Sequence, residues 1–167
     1  MINFNENKNK GFTLIELLVA LTLFSIIIIS MSSITLSVMK SQRKAFAIQG
    51  VEESSRYILE SIIKEIRMSV INTNSGSNLS LLNVTNSDGE TVMYRFSGGK
   101  LSRRVNTGAW QDLSPNNIDL TGSFYIRKSS SPNRALVTIL MKIKSKNSKI
   151  EEQSEIYIQN SINSRSN

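Results

Sequence analysis

The first candidate for chemistry in this sequence is a single carboxylate, Glu16. It is the only charged residue in the stretch from Phe12 to Met39. A charge at the centre of a bilayer costs about 2.5–3.5 kcal/mol on insertion scales, and less near an interface. Glu16 therefore needs a compensating partner, and we interpret it as a functional residue of an intramembrane segment.

Several kinds of catalytic and metal site are excluded by composition. The chain has no cysteine and no histidine, so thiol catalysis, Ser-His-Asp triads and Cys or His metal ligands are ruled out. Serine–lysine and two-carboxylate chemistry remain formally open, but no such constellation stands out. We expect no metal, no cofactor and no enzymatic activity.

The chain is basic, with 20 Lys and Arg against 13 Asp and Glu and a formal charge of +7. A positive balance can favour polyanions or anionic lipid. No tight basic cluster interleaved with aromatic residues is visible, which is the pattern typical of nucleic-acid binding. We therefore interpret the charge as a solvated surface and expect no tight binding of nucleic acid.

The apolar stretch is long enough to cross a membrane, because about 20 helical residues span a hydrocarbon core of ~30 Å. Neither proline nor glycine interrupts it. A secretory signal peptide has a shorter apolar core followed by a small-residue cleavage site. A plain single-span anchor accounts for the length but leaves Glu16 unexplained.

The residues around Glu16 form a contiguous motif that is similar to one known from a protein family. The segment from Lys10 to Ala20, KGFTLIELLVA, resembles the processing and methylation motif of type IV prepilins and pseudopilins. The resemblance implies that residues 1–11, with the basic Lys8 and Lys10, are a cytoplasmic leader. It further implies that a prepilin peptidase cleaves between Gly11 and Phe12, and that the new amine of Phe12 is methylated.

The same resemblance implies a role for Glu16 in assembly. Its carboxylate would pair with the Phe12 amine of a neighbouring subunit; the alternatives are its own amine or the membrane interface. The implied partners are other pilins, the prepilin peptidase, an inner-membrane assembly platform and the lipid bilayer. We expect a single-pass protein of the cytoplasmic membrane, with its C-terminal domain outside, that enters an extracellular or periplasmic filament.

The chain beyond the membrane segment predicts an α+β fold. A stripe containing Val51, Ile58, Ile62, Ile66 and Val70 has helical spacing. We expect one helix from about Phe12 to about Ile71, divided into 12–39 in the membrane and 40–72 as an amphipathic continuation. Residues 73–160 predict an antiparallel sheet covering the stripe, and residues 161–167 a polar tail. This is also the type IV pilin architecture.

Individual strands follow from alternation and turn residues. Gly98-Gly99 predicts a hairpin turn, and Thr121-Gly122-Ser123 predicts a turn between two short strands. The remaining predicted strands are Leu79 to Val84, Thr91 to Phe96, Leu136 to Ile143 and Glu155 to Ile158.

Two functions from different classes remain. Ile58 to Arg67 and the hairpin that ends in Arg103-Arg104 are similar to segments of J-class minor pseudopilins and W-class minor pilins. That similarity implies a minor subunit that primes the filament tip. The alternative is a pilin-anchored adhesin or DNA-uptake receptor, with a basic surface formed by Lys100, Arg103, Arg104, Arg127, Lys128 and Arg134. Exposed Trp110 or Tyr125 would favour that alternative, but we expect both in the sheet core.

Overall fold

The fold is one long helix followed by antiparallel strands, in a computed structural model that describes residues 11–129, 134–146, 149 and 153–164. Helix α1 spans Leu14–Arg67. The described residues up to Ser41 form one compact unit, and those from Gln42 onward form a second. The α+β, type IV pilin-like class predicted from the sequence is confirmed.

The second unit contains two antiparallel sheets where the sequence predicted one. The strands are β1 (Val70–Ile71), β2 (Gly76–Leu79), β3 (Leu81–Thr85), β4 (Thr91–Ser97), β5 (Lys100–Val105), β6 (Gln111–Asp112), β7 (Ile118–Lys128), β8 (Ala135–Ser145) and β9 (Glu155–Asn163). The order is β1-β3-β4-β5-β6 in the first sheet and β2-β7-β8-β9 in the second.

One hydrophobic core joins the helix to both sheets. Ile58, Ile62 and Ile66 are fully buried, as the spacing of the stripe predicts. They belong to the same cluster as Leu82 and Val92 of the first sheet and Phe124 and Val137 of the second. The two sheets meet where the rings of Phe96 and Phe124 lie 4.8 Å apart.

Helix α1 ends earlier than predicted. Its last residue is Arg67, and Val70–Ile71 form β1, which pairs with Thr85 and Val84 of β3. Val70 follows Ile66 at a helical spacing, which led to the prediction of a longer helix. Valine and isoleucine are β-branched, however, and such residues also favour strands. At Val70 and Ile71 the chain pairs with β3 instead of continuing the helix.

Three strand predictions also need correction. The predicted strand from Leu79 to Val84 is two strands in different sheets, β2 and β3. The predicted turn at Thr121-Gly122-Ser123 lies within continuous β7, which pairs with β8 along its whole length. Strand β9 continues to Asn163, into the segment predicted as a polar tail.

The predicted hairpin between β4 and β5 is confirmed, with Ser97 paired to Lys100. Its two loop residues, Gly98 and Gly99, have φ of +61° and +73°. Two consecutive positive values are the geometry of the turn that matches strand twist. The carbonyl of Gly99 accepts a hydrogen bond of 2.8 Å from the N–H of Leu120, which links the hairpin to the second sheet.

Candidate assembly site at the start of the helix

The first unit presents an apolar helical surface. The most apolar 18-residue window of α1 has a mean hydropathy of 2.6, and none of it is buried. By length and composition α1 is able to cross a membrane, and no other described helix meets that test. In isolation, these side chains have no protein core to cover them.

Glu16 lies in the first turn of α1, beside a shallow groove of about 340 Å³. The groove is lined by Phe12, Ile15, Glu16, Val19, Ala20 and Leu23. Glu16 is the one charged residue among them. A carboxylate is therefore held at the edge of an otherwise apolar surface.

Thr13 and Glu16 cap the start of α1. Both the N–H and the hydroxyl of Thr13 donate to Glu16 Oε2, at 3.0 and 2.8 Å. The N–H of Glu16 lies 3.4 Å from Thr13 Oγ1. This reciprocal arrangement is a capping box, and its signal, Thr-x-x-Glu before an apolar run, is visible in the sequence. Thr13 is therefore a capping residue in addition to the residues predicted from the sequence.

The hydrogen bonds of the cap use only one oxygen of the carboxylate. Both donors on Thr13 reach Oε2. Within the described part of the chain, Oε1 of Glu16 has no hydrogen-bond partner, and no cation pairs with this carboxylate. Oε1 of Glu16 can therefore accept a hydrogen bond from a further donor while Oε2 keeps its bonds to Thr13.

Gly11 and Phe12 precede the helix in an exposed segment without regular structure. A Cβ placed on Gly11 meets no atom within 4 Å, so packing against the described residues does not require a glycine here. Phe12 is 81% exposed. Lys8 and Lys10, predicted as the basic residues of a leader, lie outside the described residues.

Residues 7–32 match a family model described as the prokaryotic N-terminal methylation motif.

The chain carries a prepilin-type N-terminal motif.

The match covers the N-terminal part only, and it supports the type IV pilin and pseudopilin family. Neither a curated protein nor a solved structure matches the chain. The motif points to a structural subunit rather than an enzyme, and implies assembly with other pilin subunits and handling by the prepilin peptidase. Together with the apolar helix, it suggests a single-pass membrane anchor.

The six basic residues predicted as an alternative binding surface do not form one surface. Lys100 pairs with Asp112 at 2.6 Å, and Arg103 pairs with Glu65 at 2.6 Å. The guanidinium carbon of Arg104 lies 4.7 Å from the ring centroid of Trp110. The other three line a separate concavity: Arg127, Lys128 and Arg134.

The expectation that Trp110 and Tyr125 lie in the sheet core is wrong. Tyr125 is 37% exposed on β7. Trp110 is half-buried against two cations, with the guanidinium carbon of Arg95 4.2 Å from its ring centroid and that of Arg104 4.7 Å away. Trp110 therefore covers the outer face of the first sheet.

Proposed function

We propose that this protein is a minor pilin or pseudopilin, a structural subunit that assembles into a type IV pilus or type II secretion pseudopilus and primes its tip. The observation that carries the proposal is the prepilin-type motif over residues 7–32, placed directly at the start of an exposed apolar helix. A helix with no protein core around it needs lipid or other subunits to cover it.

The proposed processing removes residues 1–11 and leaves Phe12 as a methylated N-terminus. The exposed, irregular backbone at Gly11 supports this, because a protease needs an extended segment that it can reach. Residues 12–39 then form the membrane segment. The helix then continues to Arg67, and the strands of the two sheets follow from Val70 to Asn163.

The proposed assembly contact joins Glu16 of one subunit to the Phe12 amine of a neighbour. The uncommitted Oε1 of Glu16 supports this contact, since a second donor can bind there while Thr13 remains on Oε2. An ion pair in an apolar setting offsets the desolvation of both charges only if the geometry is good and further hydrogen bonds are made. The cap from Thr13 supplies two such bonds.

The proposed location is the cytoplasmic membrane before assembly and a periplasmic or extracellular filament after it, with an assembly platform as an additional partner. The J-class and W-class likeness of Ile58 to Arg67 and of the β4–β5 hairpin supports a minor subunit. In the structure these two segments contact each other through Glu65 and Arg103.

Subunit counting tests the proposal. Filaments sheared from cells are digested and the copies of each pilin are measured by quantitative mass spectrometry. A tip-priming subunit is expected at a few copies per filament, and its deletion is expected to abolish filaments rather than shorten them. Abundance equal to the most abundant pilin contradicts the minor role, and normal filaments in the deletion strain contradict tip priming.

A further inference from the structure

A basic concavity lies at one end of the second sheet. It has a volume of about 1030 Å³ and is lined by Arg67, Arg127, Lys128, Ser129, Arg134, Ala135, Leu136, Ser161, Ile162, Asn163 and Ser164. Four of these residues are cationic, and among the described residues the lining contains no acidic or aromatic side chain. The name basic concavity is used below for the site formed by Arg67, Arg127, Lys128 and Arg134.

The fold brings these cations together from separate segments. Arg67 is the last residue of α1, Arg127 and Lys128 end β7, and Arg134 directly precedes β8. Lys128 pairs with Ala135 at the end of the β7–β8 ladder where the chain passes from one strand to the other, and Leu136 pairs with Asn163 on β9. The fold therefore adds Arg67 to three cations, Arg127, Lys128 and Arg134, that were already part of the basic surface predicted from the sequence.

Three other cations on the two sheets have carboxylate partners. Lys100 pairs with Asp112, Arg103 with Glu65 and Lys142 with Glu155. In the basic concavity, Lys128 donates to the carbonyl of Asn72 at 3.3 Å. Arg67, Arg127 and Arg134 have no acidic partner among the residues that the structure describes. Like charges placed together without an anion repel one another, so this arrangement favours a bound anion.

We propose that the basic concavity binds a compact ligand that carries two or more phosphate groups. Guanidinium groups match phosphate oxygens with paired, charge-assisted hydrogen bonds. A phosphate monoester carries about −1.5 to −2 near neutral pH, so two of them balance three or four cations. The side-chain amide of Asn163 in the lining is a further potential donor to phosphate oxygens.

The shape and chemistry of the lining favour a compact ligand over nucleic acid. A volume of about 1030 Å³ is that of a small-molecule site, which typically measures about 300–1,000 Å³. Single-stranded nucleic acid is held mainly by bases stacked on aromatic side chains. The exposed Tyr125 lies on β7 but does not line the concavity. This proposal does not depend on the assembly role proposed above.

Calorimetric titration of the detergent-solubilised full chain tests the proposal near physiological salt. Tripolyphosphate and a sugar bisphosphate are the two phosphate probes, since the first has contiguous phosphates and the second separated ones. We expect saturable one-to-one binding of at least one of them. The probe that binds more tightly shows whether the site prefers contiguous or separated phosphate groups. Citrate, a compact polycarboxylate, is expected to bind at least ~10-fold more weakly, a difference of about 1.4 kcal/mol.

Two double variants locate the site. Arg127→Ser with Arg134→Ser is expected to weaken phosphate binding at least ~10-fold, since it removes two charge-assisted partners. Arg56→Ser with Lys64→Ser removes two exposed charges from α1 and is expected to leave binding unchanged. Equal weakening in both variants contradicts a specific site, as does the absence of saturable binding by either phosphate probe. A DNA oligonucleotide or citrate binding more tightly than both phosphate probes contradicts the proposed ligand class.

Discussion

Arg103 on β5 holds Glu65 in the last turns of α1 with two hydrogen bonds, from Nε to Oε2 at 2.9 Å and from Nη2 to Oε1 at 2.6 Å. The hydroxyl of buried Tyr94 donates to the same carboxylate. Burial alone raises the pKa of Glu65, but the bonds from Arg103 and Tyr94 and the Arg103 charge outweigh it and lower the pKa. This cluster ties the helix to the first sheet.

Replacing Glu65 is therefore expected to destabilise the second unit. Glu65→Gln leaves the Arg103 charge without a counter-ion and removes the charge that Tyr94 donates to. We expect a loss of about 2–3 kcal/mol in the free energy of unfolding, less than for a completely buried pair because both side chains are partly exposed. Urea unfolding of the full chain in detergent, followed by Trp110 fluorescence, measures it.

The matched control is Glu60→Gln, which changes an exposed carboxylate on the same helix. It is expected to shift the free energy of unfolding by less than about 0.5 kcal/mol. If the two substitutions change the free energy of unfolding equally, the contacts of Glu65 with Arg103 and Tyr94 contribute no more to stability than an exposed carboxylate on the helix does.

The Glu65 contribution is also expected to depend on pH. The folded pKa lies below the ordinary value of 4.5, so the unfolded chain takes up the proton first as the solution is acidified. The stability difference between wild type and Glu65→Gln is therefore expected to be constant above about pH 5. It decreases as pH falls below 4.5 and through the folded pKa. A difference that stays constant down to pH 3 contradicts this assignment.

The sequence was most informative where periodicity and turn chemistry act locally. The buried stripe of Ile58, Ile62 and Ile66 and the Gly98-Gly99 hairpin are both confirmed. The motif around Glu16 is contiguous, so it was visible without any knowledge of the fold. Its partner Thr13 was equally visible as part of a Thr-x-x-Glu capping box.

The errors arose where tertiary contacts override a local signal. Gly122 looked like a turn residue, yet a Cβ at this position would lie 2.4 Å from the carbonyl oxygen of Leu140 and 2.8 Å from the Phe96 ring. Gly122 lies inside a continuous strand, and the absence of a side chain there allows the two sheets to pack closely. Three cations of the basic concavity, Arg127, Lys128 and Arg134, were among the basic residues predicted from the sequence. Arg67 was missed, because it is distant from them in sequence and only the fold brings it to the same site.

Gly122→Ala is accordingly expected to destabilise the sheets. The added methyl group meets backbone on one side and an aromatic ring on the other, so strands or Phe96 must move. We expect a loss of about 2–3 kcal/mol from overpacking, measured by urea unfolding. Gly50→Ala is the control, since its Cβ meets nothing within 4 Å in the helix. That substitution is expected to stabilise by about 0.5–1 kcal/mol, and a similar loss in both variants argues against a special role for Gly122.

A substitution at Gly11 is expected to prevent cleavage of the leader without affecting folding. Gly11→Val places a branched side chain where the chain itself has open space, so folding and membrane insertion are expected to be unchanged. The proposed peptidase requires close approach to this backbone, and cleavage is expected to fail. Intact mass spectrometry is expected to find wild type beginning at a methylated Phe12 and the variant retaining its leader. A wild-type protein that keeps Met1, or begins beyond Phe12, contradicts the proposed site.

The proposed role of Glu16 can be separated from its capping role through Thr13. Thr13→Ala removes the hydroxyl that bonds to Glu16 Oε2 and keeps the carboxylate. Its expected cost is that of a helix cap, about 1 kcal/mol, with only a mild effect on assembly. Glu16→Ala and Glu16→Gln remove the charge itself. Both are expected to remain membrane-inserted and cleaved, because removing a charge favours the bilayer and Gly11 is unchanged.

What the Glu16 variants are expected to lose is co-purification with other pilin-like subunits and incorporation into sheared filaments. If the carboxylate acts only as a cap, Thr13→Ala reduces incorporation at least as much as Glu16→Gln does, because glutamine also accepts the capping hydrogen bonds. If the carboxylate pairs with a neighbour's Phe12 amine, Glu16→Gln loses incorporation by at least ~10-fold while Thr13→Ala stays within about twofold of wild type, since one ion pair in an apolar setting exceeds 1.4 kcal/mol. Wild-type incorporation of both Glu16 variants at matched expression contradicts the pairing, and shows that the subunit is recruited through contacts elsewhere in the chain.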